Sequence, residues 1–430
     1  PANEGPRPGE VIRILAAGHD LIVVAQRDIT SIDRRTGKKN WHSGLEQYDT
    51  DDVPVTFCGA STTTADDHLA LTLGVDLDAP ESGNVLRPTC GLVTSIDLRT
   101  GAIGGTAQLA YKGGGRPAGQ QVSGMPVEYV GDQIVATWNA TIFGLDPTGF
   151  STRWKLVLGD QNGRQGDLCS VDDMAVGGGG TSVVALSHCI TGRGDTTYHV
   201  DEISDSGRVV HTYQVSNSDA RTEISSLDLL SATPVVITVH PKAEKEGGSL
   251  ITLDDSLRVR SVIHDERTRI QSDNALTTVG IGSATRIGTY RVPSRSLISG
   301  DTMVSFTPPN RAKPNELVAT DLRTGRDLWE STAPSGTVIW QVLAVEEGRV
   351  VALAADLATD GPDQYVVSFD SKTGKALDRN ASTVKTPKGD PVPRGFLGYL
   401  YADERAYAVE FQSAGETEGA FPAWLAFSVG

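Results

Sequence analysis

The sequence has 430 residues, with 54 acidic and 38 basic side chains and a formal charge of −16. This negative balance excludes the basic surface that a nucleic-acid-binding protein needs to neutralise phosphates, and it disfavours anionic membrane surfaces. The longest apolar runs, such as SVVAL and PVVITV, have the length of strands, so no segment is predicted to span a bilayer.

The first ten residues, PANEGPRPGE, lack the basic and apolar regions of a signal peptide. They are predicted to be a linker or an expression boundary, with any membrane tether upstream of them. Residues 11–430 are predicted to form a single domain. Basic residues that are mostly Arg, together with abundant Ala, Gly, Asp and Thr, indicate a high-GC bacterial source.

A short pattern recurs along the chain: alternating apolar residues, then Asp, two or three variable residues, Gly and often Trp. It first appears as ITSIDRRTGKKNW at residues 29–41. Further copies are VTSIDLRTG at 93–101, IFGLDPTGFSTRW at 142–154, LVATDLRTGRDLW at 317–329 and VVSFDSKTGKAL at 366–377. Degenerate copies place Ser204, Asp254 and Ser428 at the Asp position. A repeat of this kind must be interpreted before any local motif.

Successive copies are 49 to 67 residues apart, which leaves room for four short strands in each. In the first copy these strands are predicted as VIRILAAG, LIVVAQ, ITSID and KKNWHS. Alternation of apolar and polar residues puts one face of each strand in a core. Seven or eight such units with almost no helical periodicity predict an all-β fold, a β-propeller of about eight four-stranded blades with seven blades as the alternative.

The repeat residues are predicted to be structural. The Asp side chain can accept hydrogen bonds from its own turn, and Gly supplies the positive φ of a tight hairpin. A Trp on the outer strand is expected to pack between neighbouring sheets. The residues given these roles are Asp33, Gly37, Trp41, Asp97, Gly101, Asp146, Trp154, Asp321, Gly325, Trp329, Asp370 and Gly374.

The four cysteines have no CxxC spacing, which favours two disulfides over a metal site. We expect Cys58 to pair with Cys90 and Cys169 with Cys189, because each pair then lies within one repeat unit and closes a short loop. Two other pairings, and four free thiols, are the alternatives. Disulfides would indicate an oxidising compartment outside the bacterial cytoplasm.

The signature of alternating apolar residues, Asp, two residues, Thr-Gly and Trp resembles the repeat of PQQ-like β-propellers, the quinoprotein alcohol dehydrogenase-like superfamily. The resemblance implies two functional branches. The enzymatic branch holds pyrroloquinoline quinone and Ca²⁺ on the propeller axis, beneath a disulfide between adjacent cysteines. No two cysteines are adjacent here. We therefore expect the non-catalytic branch of bacterial envelope proteins, with no cofactor.

Other chemical signals are weak. The eight histidines contain no i, i+4 pair, and neither GxSxG nor GxxxxGK[ST] occurs. GGGG at 177–180 is interpreted as a hairpin loop, and RGD at 193–195 as a chance tripeptide whose alternative is an adhesive motif. Two acidic segments could supply Ca²⁺ ligands, although we favour their interpretation as solvated acidic loops. Their carboxylates are Asp76, Asp78, Glu81, Asp356, Asp360 and Asp363.

The long connections fall almost entirely between the second and third strands of a unit or between successive units, so one end of each blade is predicted to be elaborated. They are residues 43–54, 75–89, 110–122, 160–167, 190–197, 241–248, 307–315, 355–364 and 411–422. Loops on a rigid scaffold usually carry function. The sequence therefore predicts a monomeric, extracytoplasmic propeller that binds a protein partner or small ligand there, for example as the sensor of a membrane-anchored serine/threonine kinase. The alternative is a quinoprotein dehydrogenase or a propeller hydrolase or lyase.

Overall fold

The computed structural model describes residues 11–25, 27–48, 55–75, 89–109, 126–160, 168–243, 248–264, 296–307, 315–356, 364–380, 397–402, 405–410 and 424–428. These residues form eight antiparallel sheets in two compact units, one ending at Ser216 and the other beginning at Asn217. Residues 1–10, expected to be a linker, lie outside the described residues, and the single domain over 11–430 stays a prediction. No helix in the described part of the chain is long and apolar enough to cross a membrane.

The first unit contains four sheets of four strands, and the strands of each sheet pair in chain order. Sheet 1 comprises β1 (Val11–Ala17), β2 (Asp20–Ala25), β3 (Asp28–Asp33) and β4 (Lys39–Gly44); sheet 2 comprises β5 (Val55–Ala65), β6 (His68–Val75), β7 (Thr89–Asp97) and β8 (Ile103–Gln108). Sheet 3 comprises β9 (Val127–Val130), β10 (Gln133–Trp138), β11 (Thr141–Leu145) and β12 (Thr152–Val157); sheet 4 comprises β13 (Leu168–Val176), β14 (Ser182–Ile190), β15 (Thr196–Ser204) and β16 (Val209–Val215).

The second unit opens with one helical turn, α1 (Asn217–Ala220), and contains three sheets of four strands and one of three. Sheet 5 comprises β17 (Ile224–Ala232), β18 (Val235–Pro241), β19 (Ser249–Leu253) and β20 (Val259–His264); sheet 6 comprises β21 (Ser296–Ser299), β22 (Thr302–Phe306), β23 (Glu316–Asp321) and β24 (Arg326–Thr332). Sheet 7 comprises β25 (Thr337–Glu346), β26 (Arg349–Asp356), β27 (Gln364–Asp370) and β28 (Ala376–Asn380); sheet 8 comprises β29 (Leu397–Ala402), β30 (Arg405–Glu410) and β31 (Trp424–Ser428).

Residue pattern explains the position of each strand within its sheet. The second and third strands are nearly continuous apolar runs, such as β2 and β18, and they are buried on both faces. The fourth strand alternates between covered and exposed residues, as in β16. Burial on both faces favours apolar runs and burial on one face favours alternation. Apolar side chains of neighbouring sheets interlock into continuous clusters, for example Val24 and Phe57 between sheets 1 and 2.

The repeat Asp organises the turn between the third and fourth strands. The Asp33 carboxylate accepts hydrogen bonds from the Thr36 amide (2.6 Å) and the Thr36 hydroxyl (2.7 Å). Gly37, at φ 78°, donates its amide to the Asp33 carbonyl at 2.8 Å. The turns that begin at Asp97, Asp321 and Asp370 close with the same amide bond from their glycine. Each of these hairpins also contains a register shift, which the extra turn residue imposes on the fourth strand.

The outer-strand tryptophans dock onto the turn of the next sheet. The Trp41 indole N–H donates to the Leu98 carbonyl at 2.9 Å, and that of Trp329 donates to the Ser371 carbonyl at 2.8 Å. A side chain at Gly374 would overlap the Trp329 ring, so the turn glycine also makes room for its neighbour. The glycine of the repeat therefore has two functions, of which the sequence predicted only the positive φ.

The third copy departs from the pattern. The position of the turn glycine is taken by Phe150, at φ 52°, and its amide donates to the Asp146 carbonyl at 2.8 Å. Gly149, which completes the motif in the sequence, lies one residue earlier. Phe150 is buried against Gly104 and Gly105 of β8, an outer strand that carries no Trp.

Candidate functional site

The two ends of each sheet differ in the length of their connections. Turns between first and second strands and between third and fourth strands are short throughout, the longest being residues 146–151. All nine segments predicted to be long connect strands at the opposite end, which we call the loop-bearing end, although the segment 190–197 is reduced to the short turn 191–195 between β14 and β15. Three further long connections, residues 216–223, 265–295 and 381–396, join strands at the same end, and the sequence did not predict them. The connections at 26–27, 139–140, 191–195 and 333–336 are short there.

Both disulfides lie at the loop-bearing end, and they join the same cysteines that the sequence favoured. Cys169 and Cys189 face each other on β13 and β14, immediately before the connection to β15. Cys58 on β5 and Cys90 on β7 join across the intervening strand β6. Disulfides fix strands at the base of a loop and reduce the freedom of the chain there.

The Cys58–Cys90 bridge crosses β6 above Gly74. A Cβ atom at residue 74 would lie 2.6 Å from the Cys58 sulfur and 3.1 Å from the Cys90 Cα atom. Gly74 has no positive φ, so it is required for space and not for backbone conformation. The sequence did not reveal the role of Gly74, because a glycine inside a strand usually indicates a bulge or a close backbone approach without identifying the approaching group.

Sheet 4 carries the best-defined polar group at a loop-bearing end. The His188 Nδ1 atom lies 2.8 Å from both Asp172 carboxylate oxygens, so the imidazole N–H donates to this carboxylate. Tyr198 is the cross-strand neighbour of His188, with ring centroids 6.5 Å apart. Burial raises the pKa of the Tyr198 hydroxyl, and the negative charge of Asp172 raises it further. His188 is 31% exposed, so its ring can contact a bound molecule.

Sheet 5 repeats this arrangement. His240 Nε2 donates to the Asp228 carboxylate at 2.8 Å, and His240 lies opposite Ser226 as His188 lies opposite Ser170. Neither pair was predicted from the sequence, because His and Asp lie on different strands. The signal exists, however: Ser-x-Asp on the first strand and His near the end of the second recur in both sheets.

The RGD tripeptide occupies the turn between β14 and β15. Thr191 and Asp195 close this turn with an amide-to-carbonyl bond of 2.9 Å, and Gly194 takes φ 85°. Arg193 and Asp195 are both exposed. The GGGG segment connects β13 and β14 at the opposite end of the sheet, where Gly179 and Gly180 have positive φ. It is a hairpin, as its position between two strand patterns predicted.

The predicted calcium ligands cannot be assembled into a site from the structure. Asp76, Asp78, Glu81, Asp360 and Asp363 lie outside the described residues. Asp356 ends β26, and its side chain is not among those described. Within the described ranges, no three His, Cys, Asp or Glu side chains come together closely enough to hold a metal ion.

The cysteines do not supply the bridge between adjacent residues that the resemblance implies for the enzymatic branch. All four cysteines are used in disulfides between partners 32 and 20 residues apart, so the bridge between adjacent cysteines cannot form. Two grooves of about 500 and 600 Å³ along outer strands are shallow and open. Most ligand pockets instead enclose the bound molecule and combine apolar walls with a few polar groups.

Comparisons with known proteins support the fold. The PQQ_2 family model, described as outer membrane protein assembly factor BamB, matches residues 280–415. BamB from Moraxella catarrhalis is similar in structure, with a TM-score of 0.50 and 13% identity over 96% of this chain and 95% of that one. The Dos1 propeller has a TM-score of 0.50 and 9% identity over 99% and 94% of the two chains.

A quinohemoprotein alcohol dehydrogenase from Pseudomonas putida HK5 aligns with a TM-score of 0.49 and 11% identity over 94% of this chain and 70% of that one. No curated protein matches the chain in sequence. The predicted fold is thus confirmed as an all-β propeller of about seven to eight blades. The predicted resemblance to PQQ-like repeats is supported by the family-model match over residues 280–415.

Proposed function

We propose that this chain is a non-catalytic, extracytoplasmic propeller that binds a partner protein through the loop-bearing ends of its blades. One observation carries the proposal: every long connection predicted from the sequence, and both disulfides, lie at that end. A rigid sheet with braced strand ends is a scaffold on which loops can present a binding surface.

Compartment and chemistry support the same proposal. Two disulfides in a chain with no free cysteine favour an oxidising environment. The cysteines do not fit a quinone site, and the His–Asp pairs at the loop-bearing ends of sheets 4 and 5 can serve as hydrogen-bonding groups for a partner. The likeness to BamB shows the fold alone, so the partner is to be identified by experiment.

The setting that we favour is a membrane-anchored bacterial envelope protein. The ectodomain of a serine/threonine kinase is one example, in which partner binding outside the membrane would regulate the enzyme inside. An envelope scaffold without a kinase domain is another. Both settings require a tether elsewhere in the full-length protein.

Photo-crosslinking in intact bacteria tests the binding end. A photoreactive residue replaces Arg193 or Lys242 at loop-bearing ends, and Arg99 or Lys372 in the short turns provides matched controls. All four positions are exposed in the structure. We expect a discrete protein adduct from Arg193 or Lys242 and none from the controls.

Equal adducts from all four positions, or adducts from the controls alone, would overturn the assignment of the binding end. The enzymatic alternative has its own test, in which the purified chain receives pyrroloquinoline quinone and Ca²⁺ and dye reduction is followed. Turnover with an alcohol substrate would replace the binding function by a dehydrogenase activity.

A further inference from the structure

Two opposite charges lie in the turn between β14 and β15, which we call the RGD turn (residues 191–195). Arg193 and Asp195 are exposed, and neither side chain forms a hydrogen bond or an ion pair with a described residue. Gly194 separates them at φ 85°. Apart from its chain neighbours, no described atom lies within 4 Å of the position that its Cβ atom would take. The tripeptide is therefore accessible to another molecule along its whole length.

The conformation of the RGD turn does not depend on these two charged side chains. The Thr191 amide donates to the Asp195 carbonyl at 2.9 Å, and the Gly194 amide donates to the Thr191 carbonyl at 2.8 Å. The Thr191 hydroxyl accepts the Arg193 and Asp195 amides, each at 3.3 Å. In the repeat turns, by contrast, the Asp33 carboxylate already accepts hydrogen bonds from its own turn. The Asp195 carboxylate stays available for a partner.

The strands beneath the RGD turn hold it in place. The β14–β15 ladder continues to the pair Ile190 and Thr196, the residues that flank the turn. Cys189, which is bridged to Cys169 on β13, immediately precedes Ile190. A loop that is fixed before binding loses less conformational entropy when a partner orders it. The Ile190 side chain is 41% exposed and adds an apolar contact beside the charges.

The small size of the RGD turn limits the chemistry of its partner. Specific interfaces usually bury about 800 Å² on each protein, which is more than five residues supply. Ion pairs that stay exposed to water contribute little. Two stronger contacts are available to these side chains: coordination of a divalent cation by the Asp carboxylate, and a bidentate hydrogen bond from the Arg guanidinium to a desolvated carboxylate.

We propose that the RGD turn inserts into a receptor protein whose binding site holds a divalent cation beside an acidic pocket. The Asp195 carboxylate occupies the open coordination position of the cation, and the Arg193 guanidinium enters the acidic pocket. This inference rests on the proposed function, because the turn belongs to the loop-bearing end of sheet 4. It adds the chemistry of the partner and the two residues that recognise it.

Other ligands fit the RGD turn less well. An anionic glycan or a free phosphate would pair with Arg193 but would be repelled by the nearby Asp195. A cation held by this chain alone lacks ligands, because no three His, Cys, Asp or Glu side chains cluster in the described ranges. A cation that the partner already coordinates needs only one further carboxylate, which Asp195 can supply.

Integrins that recognise Arg-Gly-Asp sequences have a binding site of this chemistry, so an integrin ectodomain with Mn²⁺ is the probe. Surface plasmon resonance measures its binding to the purified chain. Asp195→Glu keeps the charge but moves the carboxylate, so we expect binding at least about tenfold weaker. Asp205→Glu is the matched control, because it makes the same change in the exposed turn at the opposite end of sheet 4. Circular dichroism checks that each variant is folded.

A second pair of variants tests the acidic pocket. Arg193→Gln should weaken binding, whereas Arg208→Gln, at another exposed position of sheet 4, should not. Chelation of the cation by EDTA should abolish binding by the unmodified chain. Binding that persists in EDTA, that is equal for Asp195→Glu and Asp205→Glu, or that the unmodified chain lacks would overturn the proposal. Cross-linked adducts from Lys242 in intact bacteria would then still support partner binding at the loop-bearing end, so the two proposals fail separately.

Discussion

At the scale of single residues, one contact recurs between neighbouring sheets: a large side chain on the outer strand meets a small residue in the next turn. Trp41 meets Gly101, Trp154 meets Gly207, and Trp329 meets Gly374. Between sheets 2 and 3 the sizes are exchanged, because Gly105 of the outer strand meets Phe150 of the turn. Close packing explains the exchange, since the space between two sheets must be filled from one side or the other.

Removal of Trp329 tests this contact directly. The side chain is 8% exposed and its N–H donates to the Ser371 carbonyl. Trp329→Ala should lower the free energy of unfolding by about 3 to 5 kcal/mol, because it removes a large buried ring and leaves a cavity. Urea unfolding followed by far-UV circular dichroism measures the change. A loss below about 1 kcal/mol would contradict the packed position of the Trp329 ring.

The exchanged pair predicts strong coupling between two substitutions. Phe150→Gly should destabilise the chain by cavity formation, and Gly105→Trp should destabilise it by collision with Phe150. The double variant recreates the Trp-over-Gly contact of the other sheets, so it should be more stable than the sum of the single effects predicts. A double-mutant cycle from urea unfolding provides the coupling energy. Strict additivity would show that the two side chains do not share one space.

At the scale of elements, the disulfides show how strands prepare the base of a loop. The Cys169–Cys189 bridge joins adjacent strands, whereas Cys58–Cys90 passes over β6 and holds three strands together. The second arrangement depends on the absence of a side chain at Gly74. Spacing in the sequence could favour these pairings but could not show which strand each bridge crosses.

Gly74→Ala therefore tests the crossing. The added methyl group would approach the Cys58 sulfur to 2.6 Å, so the strands must move or the bridge must fail to close. We expect a rise in free thiol at Cys58 and Cys90, and a loss of about 3 kcal/mol where the bridge is absent. Non-reducing peptide mapping measures the free thiols, and urea unfolding measures the loss of stability. Gly192→Ala is the control, because nothing lies within 4 Å of that position; equal oxidation in the two variants would refute the steric argument.

At the scale of the whole molecule, the sequence predicted the repeated sheets well because each copy contains its own turn signal. In the first copy, the four predicted segments correspond to β1, β2, β3 and β4 within a few residues. The third copy shows the limit of the motif, since its glycine and its positive φ fall on different residues.

The candidate site was harder to predict than the fold. Strand order revealed which end of each sheet carries long connections, but not which side chains meet there. The Asp172–His188 and Asp228–His240 pairs join residues 16 and 12 positions apart on neighbouring strands, and only the register brings them together. Periodicity specifies the face of a strand but not its register against the next one.

The turn aspartates give the whole molecule a common response to acid. Hydrogen bonds from the Thr36 hydroxyl lower the pKa of Asp33, and those from the Thr373 hydroxyl lower the pKa of Asp370. The pKa values of Asp97, Asp146, Asp254 and Asp321 are also lowered in the folded chain. A carboxylate whose folded pKa lies below its unfolded value stabilises the fold above the unfolded pKa, and this contribution disappears as the pH falls through the folded pKa.

The double variant D33N/D370N should therefore be less stable than the unmodified chain at pH 6, and the difference should shrink below about pH 4, where unfolded aspartates become protonated. Urea midpoints measured from pH 6 to strongly acidic pH give this difference. D255N is the control, because the exposed Asp255 carboxylate accepts no hydrogen bond from a described residue. A difference that stayed constant across this range would mean that the two turns favour an Asp side chain through its shape and not through its charge.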